Sequence, residues 1–223
     1  MRILVVAWLL AAFGMASAET IRPLTTGDTV IGVGLVHSQV AGGPVTFTQV
    51  GQGFTFRLAI DARGTRTYTR GTDVAPYWVY DRDFSRLVIT GMDMPADSRF
   101  RLLPPGGELA EGMTWDVQPH KMTLLSCGET ELRFKASAEK GPEVTLLIDG
   151  REDKVATLRV RYESPVRCEG RSPFLRTHEL IFAPALHEIV QSVSINYEGL
   201  VVGPMQLGTQ IRGWRLTGVL LGK

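Results

Sequence analysis

An all-β fold with little helix is what the sequence predicts, either an antiparallel sandwich or a strongly curved sheet or half-barrel. Three observations lead there. Apolar and polar residues alternate with period two in run after run; turn-forming residues punctuate the runs; and no stretch beyond the first eighteen residues sustains a 3.6-residue pattern.

In chain order, Phe54, Phe56, Leu58 and Ile60 alternate with Thr55, Arg57, Ala59 and Asp61. Tyr77–Tyr80 and Leu87–Thr90 flank Asp81-Arg82-Asp83-Phe84-Ser85, a hairpin connection. Leu132, Phe134 and Ala136 alternate with Glu131, Arg133 and Lys135, and Ala156, Leu158, Val160 and Tyr162 with Thr157, Arg159, Arg161 and Glu163. Ile189, Val193, Ile195 and Tyr197 share a last face. Successive strand side chains point to opposite sides, so each run makes a half-buried strand with one wet face. Gly141-Pro142 and Asp149-Gly150 mark turns. The best helix candidate is Ala185–Val190, after Pro184, about one turn long. Arg63, Arg66 and Arg70 are expected on solvated strand faces.

The start of the chain has a different character. Met1-Arg2 is followed by an apolar run from Ile3 to Phe13 and by Ala16-Ser17-Ala18, the pattern of a secretory signal peptide cleaved after Ala18. The run is shorter than the roughly 20 residues a membrane helix needs. The expected mature chain, Glu19 to Lys223, has no membrane span and a periplasmic or secreted address. Removing Arg2 leaves 23 basic and 23 acidic residues, a balance that argues against nucleic acid as a partner.

Cys127 and Cys168 are the two cysteines, and in an exported protein an even count reads as a disulfide. Closing a loop of that length would stabilise the fold by about 4 kcal/mol in the chain-entropy model. Leu103-Pro104-Pro105-Gly106-Gly107 divides the mature chain into segments 19–103 and 108–223, read as two halves of one domain.

Glu111-Gly112-Met113-Thr114-Trp115 after the Pro-rich break, and Ile181-Phe182-Ala183-Pro184-Ala185-Leu186-His187-Glu188-Ile189-Val190 later, resemble a pattern in uncharacterised bacterial periplasmic β-rich proteins. The resemblance covers about Leu103 to Gly199 and is carried by structural motifs. Leu186-His187-Glu188 stands where the pattern has a Leu-Gly-Arg-like turn. It implies a periplasmic β protein and no particular activity.

Catalytic motifs are thin. G-x-S-x-G is absent, and Ser137-Ala138-Glu139-Lys140 matches S-x-x-K in a strand-to-turn context without its companion motifs. Asp81 and Asp83, near Tyr77, Trp78 and Tyr80, could pair as carboxylates, but aspartate in a hairpin turn usually bonds its own backbone. Two His-Glu dipeptides, His178-Glu179 and His187-Glu188, form a candidate metal set with zinc preferred, a turn at Pro184 bringing them together. Met92, Met94, Met113, His120 and Met122 are softer ligands of the kind Cu(I) takes.

The reading that fits the whole chain is a non-enzymatic binding or envelope-assembly module, its partner an apolar small molecule or an envelope component, with no cofactor. A carrier of that kind expects a cavity of several hundred Å³ lined by the strand faces. The alternative is a metal-binding or metal-dependent periplasmic protein using His178 and His187.

Overall fold

The computed structural model describes residues 21–38, 48–71, 73, 75–89, 92–93, 101–104, 106, 108–124, 128–167, 174–196, 201–202, 205–206 and 210–222. Residues 1–18, expected to be a signal peptide, and Cys127, Cys168 and Met94 lie outside them.

Eighteen strands and no helix form among the described residues. In the first half these are β1 (Thr29–Ser38), β2 (Thr48–Ile60), β3 (Arg66–Arg70), β4 (Trp78–Tyr80), β5 (Arg86–Ile89) and β6 (Met92–Asp93). After the Pro-rich break come β7 (Thr114–Asp116), β8 (His120–Leu124), β9 (Gly128–Leu132), β10 (Lys135–Lys140), β11 (Val144–Ile148), β12 (Arg151–Val155) and β13 (Leu158–Val166). The chain closes with β14 (Phe174–Ala183), β15 (Glu188–Asn196), β16 (Val201–Val202), β17 (Met205–Gln206) and β18 (Gln210–Leu220). Fourteen strands make one sheet, twelve of them in the order β6-β5-β4-β3-β2-β1-β18-β15-β14-β13-β10-β7. That path is not closed into a barrel. β11 joins β18 in a short parallel step, Leu147 opposite Gly218, and carries β12 on its other side. β8–β9 and β16–β17 are separate two-stranded ladders.

The period-two pattern becomes burial directly. In β13, Val160, Tyr162, Ser164 and Val166 are buried while Arg161, Glu163 and Pro165 between them are exposed. Pro165 lacks a backbone donor, and it sits where β10 has already ended at the Lys135–Glu163 pair, so it interrupts no ladder on that side. The Asp149-Gly150 hairpin places both residues at positive φ, 47° and 83°, the geometry a two-residue turn between twisted strands requires. Gly32 is needed for a different reason. A Cβ there would lie 2.6 Å from the Arg215 carbonyl oxygen and 2.4 Å from the Phe54 ring, which approaches this bare backbone closely.

The sheet is strongly curled. β4 and β18 are four strands apart in the order, about 19 Å if the sheet were flat, yet the rings of Trp78 and Trp214 stack at 5.4 Å between centroids. The main hydrophobic core fills the concave side, drawing on both halves of the chain, from Val30, Phe56 and Leu58 to Val160, Leu180 and Val219, and Val33, Leu35 and Val193 form a small second cluster. β1 and β18 pair from Thr29–Leu220 to Ser38–Gln210, so the sheet runs without interruption across the sequence break. The break itself is anchored: Leu102 and Leu103 are buried, the Leu103 N–H donates to the Asp83 carbonyl, and the Tyr162 hydroxyl donates to the Leu102 carbonyl.

Two expectations are corrected. Ala185–Val190 is no helix: Pro184–His187 form a turn, and β15 begins at Glu188. His187 sits at φ 47°, the left-handed region, where the resemblance expected glycine. A six-residue helix would nucleate poorly; Glu188 and Ile189 instead join the ladder to β14, and the Leu186 and His187 N–H groups donate to the Ala183 and Pro184 carbonyls within the turn. Arg66 is not on a solvated face. Its register opposite Ile60 and Tyr80 turns it inward, and it is 4% exposed, whereas Arg63 and Arg70 are exposed as expected.

Asp28 ties the two chain ends together. Its fully buried carboxylate accepts from the Arg22 guanidinium at 2.8 and 3.0 Å, from the Thr25 N–H at 2.7 Å and from the Gly222 N–H at 2.7 Å. Burial opposes its ionisation, but the bonds from Arg22, Thr25 and Gly222 outweigh burial and hold the carboxyl below its ordinary value. A carboxylate depressed in the folded state contributes stability above its unfolded pKa and loses it as pH falls through the folded one. Melting temperature should therefore drop between about pH 5 and about pH 2 more steeply in the wild type than in Asp28→Asn. Parallel slopes in the two proteins would remove Asp28 from the acid response.

Candidate functional site

The concave face carries two groups that core packing alone does not explain: a buried ion pair and a floor of half-buried aromatic rings. Arg66 of β3 donates through Nη1 to Glu188 Oε2 at 3.0 Å, and the Tyr68 hydroxyl donates to the same oxygen at 2.7 Å. Glu188 Oε1 accepts the Ile189 N–H at 2.9 Å. The Arg66 guanidinium also lies 5.0 Å from the centroid of the Phe84 ring. Burial raises the Glu188 carboxyl above its ordinary value, while Arg66 and Tyr68 pull it back down. Burial, reinforced by the Glu188 charge, pushes the Tyr68 hydroxyl well above 10.0.

This arrangement decides the fate of the His-Glu dipeptides. Glu188 is committed to Arg66 and Tyr68. His187 packs its ring against Phe84 at 5.7 Å and Phe182 at 5.6 Å, and its pKa is lowered by burial and by the Arg66 and Arg82 charges. His178 lies in mid-strand, five residues before Ala183 and so about 16 Å along β14 from the turn. There it packs on Tyr162 at 5.8 Å and faces Ser192 Oγ at 3.4 Å. Glu179, on the opposite face of β14, lies 3.7 Å from Arg159 and 3.8 Å from Arg161. The turn at Pro184 does reverse the chain, but its hairpin register pairs His178 with Ser194, not with His187. Among the described residues no three His, Cys, Asp or Glu side chains come together to hold a metal ion.

The remaining candidates separate as well. Ser137 and Lys140 are both exposed in β10, where residues three apart point to opposite faces, so the lysine does not serve the serine. Asp81 Oδ1 accepts the N–H groups of Asp83 and Ser85 at 3.0 and 2.7 Å, an Asx turn holding the β4–β5 hairpin. Met113 Sδ accepts the Ala110 N–H. Met92 and His120 belong to β6 and β8, in different sheets.

What sequence reasoning missed is the aromatic floor. Phe54, Trp78 and Trp214 come from β2, β4 and β18, and none is fully buried. Trp78 and Trp214 lie 28° from parallel, and Phe54 stands edge-on to both, at 5.6 and 6.4 Å. Tyr77 adds a ring at 5.5 Å from Trp78. Trp214 faces Gly34 across β1, and its neighbour in β15 is Ser192, 4% exposed. Beneath the Trp78–Trp214 stack a recess of about 10 Å³ reaches Tyr68, Tyr80 and Glu188. A larger recess, about 70 Å³, lies by the chain ends between Arg22, Asp149, Arg151 and Leu221.

No family model and no curated protein matches the chain. Among solved structures the chain is similar to the hypothetical lipoprotein YmcC of Escherichia coli, with 11% identity, TM-score 0.37 and coverage of 83% of each chain. It is also similar to a protein described as a lipoprotein in Parabacteroides distasonis, with 10% identity, TM-score 0.36 and coverage of 90% of this chain and 98% of that one. A third is an exported protein with a YmcC-like fold from Bacteroides fragilis, with 11% identity, TM-score 0.35 and coverage of 89% and 97%.

Removing one partner of the buried pair strands the other's charge, so Arg66→Met or Glu188→Ala should each cost about 3–5 kcal/mol in chemical denaturation. The double variant Arg66→Met/Glu188→Leu should cost less than either. A double variant as destabilised as the sum of the singles would show that the two side chains do not act on each other.

Proposed function

We propose that the protein is exported and acts as a non-enzymatic binding or assembly module of the cell envelope, holding an apolar or envelope-derived component on the aromatic floor of its curled sheet. One observation carries this reading. The rings of Phe54, Trp78 and Trp214 gather from three strands onto one concave surface, yet none is fully buried. Aromatic rings bury 150–250 Å² each when covered, roughly, so leaving three partly open forgoes stability that packing would otherwise supply. A surface that a ligand completes accounts for that arrangement.

The recess beneath the rings also bears on how a ligand would sit. At about 10 Å³ it has room for about one water. A ligand would therefore lie across the rings instead of being swallowed between the strand faces, unlike the deep cavity expected from the sequence. The signal-peptide pattern of residues 1–18 supports the envelope address. No helix among the described residues is long and apolar enough to cross a membrane. The Cys127–Cys168 disulfide is part of the same proposal, because export supplies the oxidising compartment in which it would form.

Mature protein purified from the exporting compartment should carry a bound molecule detectable by native mass spectrometry, and Trp214→Ala should lose it while remaining folded by circular dichroism. Equal retention of the molecule by the wild type and by Trp214→Ala would place the binding surface elsewhere. Intact mass with and without reductant should differ by two hydrogens, and an unchanged mass would remove the disulfide.

A further inference from the structure

We propose that the outer edge of β12 is a self-association surface, on which a second copy of this chain docks its own β12 antiparallel about a two-fold axis at Asp153. The inference goes beyond the binding reading and needs nothing of the aromatic floor. Among the described residues the main sheet has three edge strands, β6, β7 and β12, and β12 is the longest. It pairs only with β11, from Val144–Val155 to Ile148–Arg151.

Hydrogen-bond direction fixes which residues of that edge can take a partner. The Asp149 N–H donates to the Val219 carbonyl, so the odd residues of β11 bond towards β18 and the even ones towards β12. Their partners Arg151, Asp153 and Val155 therefore bond inward, and the backbone groups of Glu152 and Lys154 point out from the edge. A two-fold antiparallel pairing can centre on Glu152, Asp153 or Lys154. The first sets Glu152 against Glu152 of the second copy, and the last sets Lys154 against Lys154. Centring on Asp153 brings outward backbone to outward backbone and pairs Glu152 with Lys154 of the second copy, twice over by symmetry.

The side chains are placed for this register. Glu152 is exposed and belongs to no ion pair among the described residues. Lys154 lies 3.1 Å from Glu143, with the two side chains 73% and 60% exposed, a solvated pair that leaves the ammonium further donors for a second carboxylate. Asp153 meets its own image at the axis, but each carboxylate is already answered by its own Arg151, whose Nε and Nη2 donate at 3.2 and 3.1 Å. Charged side chains on an edge strand turn most strands away. Here their order, Arg-Glu-Asp-Lys, opposes most partners and complements its own copy at the outward positions. A five-residue edge buries less than a standard interface, so the dimer is a weak one.

Analytical ultracentrifugation of the purified protein should show a monomer–dimer equilibrium with its midpoint between about 10 μM and about 1 mM. Glu152→Lys sets lysine against lysine at both pairs, and Lys154→Glu sets glutamate against glutamate; each should weaken the dimer at least about tenfold. Glu152→Lys/Lys154→Glu exchanges the charges and should recover most of the loss. Both positions are exposed, so circular dichroism should be the same in all four proteins. The register has a readout of its own. Cα atoms of a non-hydrogen-bonded antiparallel pair lie about 4.5 Å apart, within reach of a disulfide. Asp153→Cys should therefore join copy to copy on oxidation, in a bond that reductant removes, and faster than Lys154→Cys. A monomer throughout that range, single charge reversals that associate as the wild type does, a double variant that recovers nothing, or Lys154→Cys linking as fast as Asp153→Cys would each overturn the proposal.

Discussion

The ion pair between Arg66 and Glu188 is a chord across a curled sheet, and much of the structure can be understood as its consequence. In the strand order β3 and β15 are four strands apart, about 19 Å on a flat sheet, and side chains that bond at 3.0 Å require the sheet to fold over its own concave face. Both groups are nearly excluded from water, with side chains 5% and 4% exposed. Burying them unpaired would be costly, so the fold that buries them must also bring them together. Tyr68 and the Ile189 N–H complete the carboxylate's bonds, and Phe84 lies against the guanidinium. Because Arg66 belongs to the first half of the chain and Glu188 to the second, the same contact joins them across the core.

The aromatic floor lies on the same concave face, and the same curl brings its rings together. Trp78 reaches Trp214 only because the sheet curls between β4 and β18, and Phe54 stands edge-on to both where Gly32 leaves room for its ring. Glu188 and Tyr68 form the base of the recess beneath the stack, so the ion pair and the floor share walls. Packing, electrostatics and the proposed binding surface thus depend on a single geometric fact, the curvature of the sheet.

The strands were legible in the sequence because alternation is a local property. Val160 and Tyr162, or Phe54 and Phe56, announce a buried face without reference to any other part of the chain. The Asp81–Ser85 and Asp149-Gly150 turns were legible for the same reason: aspartate and glycine carry their turn chemistry within a few residues. Arg66 was not, because an arginine in an alternating run looks the same whether it meets water or a carboxylate 122 positions away. His187-Glu188 suggested metal ligation because sequence gives the residue types and not the partners; Glu188's partners come from β3. The floor was hidden likewise, since Trp78 and Trp214 are far apart in the chain and meet only through the strand order. His187 at positive φ left a faint trace, in the turn where the resemblance expected glycine.

Native-state hydrogen exchange of the protein tests most directly whether the chord joins both halves into one cooperative unit. If it does, the slowest amides of β2 and β3 and those of β15 and β18 exchange at one common opening free energy, that of global unfolding. If β2 and β3 instead open at a free energy lower by about 2 kcal/mol or more, the first half comes away on its own and the chord does not hold the fold together.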